Sequence, residues 1–277
     1  FLSFVSEPMV GRMVVPFFGG AVHVWTVCMM TFQALLLAGY AYAHLVAPKI
    51  GLWHVALMAL ALPWLPLEIS ASVDPGAPIL ALVGSLLRHI AVPFFTVATT
   101  AVVVQYWFAQ SELSERTDPY TLYAASNAGS LGALIGYPVL VEPFFGIASQ
   151  RVLWNVVWLA WLLLLAASWW SLRGSMRPQV EANKDGLDRP TMGVVMGWLM
   201  LAAAPSALLL SVTQFIASEI GSFPMVWVVP LALYLGSFIL AFRVRDQSWL
   251  MKYWPDLVIA MVLVGVVGSI ALLVAVL

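Results

Sequence analysis

Eight apolar stretches follow one another along this chain, and only one charged segment of any length, Arg173 to Thr191, interrupts them. A helix needs roughly 20 apolar residues to cross the hydrocarbon of a bilayer. The stretches that meet or approach this length are Ala21 to Val46, Leu52 to Ile69, Ile90 to Ala109, Tyr120 to Val141, Val152 to Leu172, Met192 to Ala217, Pro224 to Phe242 and Leu257 to Leu277. The opening Phe1 to Val5 has neither an initiator Met nor the basic segment of a signal peptide, and reads as the end of a truncated first helix. With it the helices number nine. The last reaches Leu277 without the polar anchors that normally end a span, so both ends read as incomplete.

Composition excludes the other classes. A hydrophobic fraction of 62% with 9% charged residues cannot be buried inside a soluble domain of 277 residues, so lipid must solvate much of the surface. A net charge of -1 provides no basic field for nucleic acid. The one cysteine, Cys28, forbids an internal disulfide and a thiolate metal cluster. His23, His44, His54 and His89 lack a paired ligand spacing, so no metal or cofactor site is expected. No Ser-His-Asp set, nucleophile elbow or pair of intramembrane acids points to catalysis.

Alternating helices put Lys49, Arg116, the segment Arg173 to Arg189 and the segment Arg243 to Lys252 on one side, with Arg12, Arg88 and Arg151 opposite. Basic residues concentrate on the cytoplasmic side, which makes the linker 173–191 cytoplasmic. Trp107, Trp169, Trp170, Trp249 and Trp254 then fall at inner ends, and Trp25, Trp64, Trp154 and Trp227 at outer ends, where indole favours the head-group layer. Ile79 to His89 reads as an interfacial helix that lets Arg88 reach the head groups.

The linker separates six helices from those that follow, as in a two-bundle transporter. The expected domains are an N-terminal bundle over 1–172, the linker over 173–191, and an incomplete C-terminal bundle over 192–277 with helices seven to nine. An offset of 202 residues superposes Gly19 on Gly221, Val24 on Val226, Trp25 on Trp227 and Val27 on Val229, as parallel six-helix repeats would.

Three groups of residues carry a family likeness. They are Glu7-Pro8-Met9-Val10-Gly11-Arg12-Met13 with Gly19-Gly20 and Phe32 to Tyr40, then Tyr123 to Asn127, then Trp227 to Leu235. In these the chain resembles the membrane part of bacterial fused major-facilitator-like/spermidine synthase-like proteins. The resemblance implies an all-α polytopic fold of the major-facilitator-like kind in the bacterial inner membrane. Family members can carry a soluble synthase-like domain after the helices. No Gly-rich nucleotide turn follows a strand here, so aminopropyl transfer cannot be assigned to these residues. The loop His44 to Gly51 also departs from the Gly-Asp-Arg type signature of many major facilitators.

Four carboxylates, Glu7, Glu68, Glu142 and Glu219, fall at or just beyond the outer ends of helices one, three, five and seven. The prolines after Glu7 and Glu142 are expected to end the helices there. A carboxylate at a helix C-terminus is disfavoured by roughly 0.3 to 1 kcal/mol and calls for a counter-charge. Arg12, Arg88 and Arg151 could supply it, as could a polyamine or a metal ion from outside; the plainer alternative is that Glu is a polar residue closing a span. Asn127 lies among Ser126, Gly129, Ser130, Gly132 and Gly136, a pattern that lets another helix approach closely, and could instead bond a polar solute. Gln33, Gln105 and Gln214 need partners inside the membrane and together could line a polar path. Pro93, Pro205 and Pro230 are expected to break their spans.

The expected function is a non-catalytic membrane domain that transports or binds a small cationic solute such as a polyamine. Glu7, Glu142, Glu219 and Asn127 are its candidate contacts. The alternatives are an anchor or conduit for a synthase-like domain outside this chain, and an accessory subunit packed in a larger membrane complex.

Overall fold

A computed structural model describes residues 1–51, 53–70, 76–112, 120–175, 190–220 and 228–243. Arg116, most of the linker, Trp227, Trp249, Trp254 and the ninth span lie outside the described residues. Among those described the chain is all-α, and five helices are long and apolar enough to cross a membrane: His23–Leu45, Ala91–Ala109, Leu122–Phe144, Ile147–Leu172 and Met192–Thr213. The elements are α1 (Leu2–Phe18), α2 (Val22–Leu45), α3 (Ala47–Ile50), α4 (Trp53–Ala59), α5 (Pro78–His89), α6 (Ala91–Ala109), α7 (Tyr120–Gly136), α8 (Glu142–Phe144), α9 (Ile147–Leu172), α10 (Met192–Ile220) and α11 (Val228–Arg243). A π-helical turn over Tyr137–Val141 joins α7 to α8 into one run.

Helices α2, α6 and α9 lie side by side and run in the same direction. Along α2 and α6 the contacts climb together, from Phe32 on Phe94, with ring centroids 4.8 Å apart, to Gly39 against Ala98. Along α6 and α9 they climb from Trp158 at Pro93 through Trp161 at Thr100 to Trp107 on Trp169. Where the two helices end, the Glu112 N–H donates to the Ser175 carbonyl at 3.1 Å. Three parallel helices require two return crossings, and α7 with α8 is one of them. Beyond the linker, α11 packs along α7 and α10 leans on α11. The α10 surface is apolar and exposed along almost its whole length.

Three departures from the sequence reading have identifiable causes. First, α1 does not end before Pro8 but runs through Pro8 and Pro16 to Phe18. Each proline forfeits a helical hydrogen bond, yet α1 buries Leu2, Val5, Met9, Val10, Met13 and Val14 in the bundle, and this packing holds the helix together. Second, Leu52 to Ile69 is not a continuous helix. It is helical over Trp53–Ala59, makes a 3-10 turn at Leu62–Trp64 and continues without regular secondary structure. Pro63 and Pro66 explain the break, since Pro66 drives Leu65 to the β region (φ -98, ψ 141). Third, Pro93 and Pro205 break nothing: Pro93 occupies the first turn of α6, where no N–H is needed, and α10 stays helical through Pro205, while the residues before Pro230 lie outside the described residues.

The broken segment still traverses the bundle. Trp169 lies 3.4 Å from the Cβ position of Gly51 near one end of α9, while Leu67 and Glu68 meet Asn155 and Arg151 near the other. Asn155 and Trp169 are about 21 Å apart at 1.5 Å per residue. The segment 51–70 therefore runs antiparallel to α9 as a second return crossing, part helix and part irregular chain.

The tight approaches occur where the sequence did not place them. A Cβ on Gly39 would stand 2.8 Å from the Ala98 Cβ, and a Cβ on Gly11 would collide with the Trp25 ring. At Gly129, Gly132 and Gly136 it would meet nothing within 4 Å among the described residues. The expected seam on α7 is thus not built on its glycines. Gly39→Val should cost about 1 to 3 kcal/mol by overpacking α2 against α6, while Gly132→Ala should be neutral or stabilising by up to about 1 kcal/mol through helix propensity. Thermal unfolding of the two detergent-purified variants tests the contrast.

Candidate functional site at the Arg12 and Glu142 end

Polar side chains gather where α1, the α7–α8 run and the start of α9 meet. Arg12 Nη1 lies 3.0 Å from Glu142 Oε1, and the two side chains are 35% and 24% exposed. Directly beneath, the Tyr137 hydroxyl donates to Gln150 Oε1 at 2.9 Å, and Gln150 Nε2 donates to the Phe145 carbonyl at 2.7 Å. Tyr137 and Gln150 are buried, and Arg12 also faces the Tyr137 hydroxyl. The cluster has a local origin. Only Phe145 and Gly146 separate α8 from α9, so Tyr137 and Gln150 are brought together on adjacent helix ends.

Three tryptophans at i, i+4 and i+7 form the inner face of α9 below this cluster. The Trp154 indole N–H donates to Ser6 Oγ at 2.9 Å, that of Trp158 to the Pro93 carbonyl at 3.3 Å, and that of Trp161 to Thr100 Oγ1 at 2.9 Å. Each buries a large ring and satisfies its polar tip on α1 or α6. Trp154 is therefore a core residue and not a head-group anchor, as is Trp107 at the other end.

The sequence-derived candidates stand in different surroundings. Glu142 is paired with Arg12, near the C-terminal end of its helical run, where the macrodipole disfavours a carboxylate and the guanidinium offsets the penalty. Glu7 is half-buried within the first half of α1, so the helix C-terminus argument does not apply to it. Glu68 is exposed on irregular chain, 3.6 Å from Arg151 Nη2. Glu219 stands exposed at the next-to-last position of α10. Asn127 donates to the Tyr123 carbonyl of its own helix at 3.0 Å. It lies about 22 Å along that helix from Glu142 at 1.5 Å per residue.

Gln150, Tyr137 and Asn155 escaped the sequence reading. A signal was present, since Gln150, Arg151 and Asn155 open an apolar span and Arg151 and Asn155 share a face at i, i+4 spacing. At the opposite end His54 is fully buried against Trp107 and stacked on Tyr42, whose hydroxyl meets His54 Nδ1 at 3.2 Å. No group of three His, Cys, Asp or Glu able to hold a metal occurs among the described residues. None of the known family models, curated proteins or solved structures matches this chain.

Chemically, the cluster presents a partly buried ion pair that can exchange partners: a cation could replace Arg12 on Glu142, or an anion Glu142 on Arg12. Tyr137 and Gln150 provide the fixed floor. Tyr137→Phe strands the buried Gln150 carbonyl oxygen, and should cost about 1 to 3 kcal/mol. Tyr137→Phe combined with Gln150→Leu should cost less than the sum of the two single changes, as a double-mutant cycle by chemical denaturation in detergent would measure.

Proposed function

We propose that this chain is a non-catalytic, multi-pass membrane domain that binds and moves a small cationic solute of the polyamine class, engaging Glu142 in exchange for Arg12. The observation that carries the reading is the half-buried Arg12–Glu142 pair at a helix end. Charged groups inside a membrane bundle are costly and are kept where they serve a path or a partner. Arg12 acts as a tethered cation that holds Glu142 in the absence of solute. Glu7, on the same helix as Arg12, adds a second carboxylate, and Asn127 gives a further polar stop along the Glu142 helix. The composition and the resemblance to the membrane part of the major-facilitator-like/spermidine synthase-like proteins support this reading, and polyamines are the cations that resemblance implies.

Spermidine should raise the melting temperature of the detergent-purified protein at low salt. The shift should grow in Arg12→Gln, which frees Glu142, vanish in Glu142→Gln, and weaken as ionic strength rises. No shift in Arg12→Gln would defeat the cation reading. The second reading, an anchor or accessory subunit in a larger assembly, would then take its place. It is favoured by the open apolar surface of α10.

In this reading the membrane is the bacterial inner membrane, the Arg12–Glu142 end faces outward and the linker 173–191 is cytoplasmic. A cysteine at Asn183, introduced with Cys28→Ala, should react with an impermeant thiol reagent only after the membrane is opened. Labelling in intact cells would reverse the topology.

A further inference from the structure

We infer that residues 60–70 form a strap that opens on its α9 side while remaining attached to α5, giving lateral access to the bundle at the Arg12–Glu142 end. The strap's anchors fall into two unequal sets. On the α5 side, the Trp64 indole N–H donates to the Arg88 carbonyl at 3.0 Å, and Ser85 Oγ donates to the Ser70 carbonyl at 3.3 Å. Ser70 Oγ also meets His89 Nε2 at 3.2 Å, while His89 Nδ1 is held by the Ser85 carbonyl at 2.8 Å. These contacts fasten the strap on either side of Leu67 and Glu68. On the α9 side, two contacts hold its middle: the Leu67 N–H donates to Asn155 Oδ1 at 3.1 Å, and Glu68 reaches Arg151 at 3.6 Å.

The α9 set is the weaker. The Glu68 side chain is 67% exposed, where ion pairs are screened and contribute little. That leaves one neutral hydrogen bond, beside the apolar burial of Leu67, on irregular backbone that follows Pro63 and Pro66. The α5 side is fixed. The Ile90 N–H donates to the Leu86 carbonyl at 3.0 Å and the Phe94 N–H to the Ile90 carbonyl at 2.9 Å, so α5 runs on into α6, and Leu82 and Leu86 are buried in the core. The strap can therefore peel from α9 while α5 stays packed on α1 and α2, breaking two polar contacts and uncovering Leu67, which is fully buried in the closed arrangement. Irregular backbone at membrane depth is tolerated where it is buried in protein or lines a wet cavity, and interrupted crossings of this kind recur at the moving parts of transport proteins. The inference does not depend on the solute being a cation.

The test uses the full chain in lipid nanodiscs with Cys28→Ala, and a cysteine at Leu67 or, as control, at the equally buried Leu86 on α5. Asn155→Ala should raise thiol labelling at position 67 by about tenfold, the factor a single hydrogen bond of ordinary strength supplies, and leave position 86 unchanged. Equal increases at both positions would mean a loosened bundle and would overturn the strap, as would no increase at either. If Asn155→Ala does not fold, Arg151→Gln with Glu68→Gln takes its place, with a smaller rise confined to position 67 expected and no rise overturning the inference.

Discussion

The demand that every backbone N–H and C=O find a partner where water is scarce organises this molecule. Helices meet it within themselves, which is why a chain this apolar resolves into them wherever proline permits and even through Pro8, Pro16 and Pro205. Pro63 and Pro66, three residues apart, exceed what one helix can absorb, and the chain crosses the rest of the bundle as irregular backbone. There α9 provides what a helix would have provided, an acceptor for the Leu67 N–H on Asn155.

Once the helices exist, apolarity no longer decides how they pair, because lipid tails are as apolar as leucine. Close approach and polar tips decide instead. Gly39 lets α2 and α6 come within van der Waals contact at Ala98, and three indole N–H groups on α9 find acceptors on α1 and α6. The three helices that this pairing aligns run in the same direction, so both α7 and the broken segment 51–70 must return.

The ion pairs among the described residues lie at one end. Arg12 answers Glu142 and Arg151 answers Glu68, while Tyr137 and Gln150 satisfy each other beneath. Two pairs on one rim, one tying α1 to the α7–α8 run and the other tying the broken crossing to α9, make this end both the most polar and the most separable part of the fold. The opposite end is closed by rings, with Tyr42, His54, Trp107 and Trp169 packed in sequence.

The sequence by itself determined the all-α class and placed most of the long helices to within a few residues, because a run of about 20 apolar residues has no other low-energy form in lipid. It also pointed to Glu142 as a carboxylate in need of a counter-charge, since that depends on local position along one helix. It could not say that Arg12 would be the partner, that Trp154 would face Ser6 instead of the head groups, or that Gly39 would meet Ala98 while no described residue approached Gly132. Those outcomes depend on which helix faces lie together, and a helix that is apolar all round carries almost no record of its own orientation. Tertiary structure alone decided that Asn155 would stand in for a missing turn of helix, because the need arises in one segment and the acceptor comes from another 88 residues away in the chain.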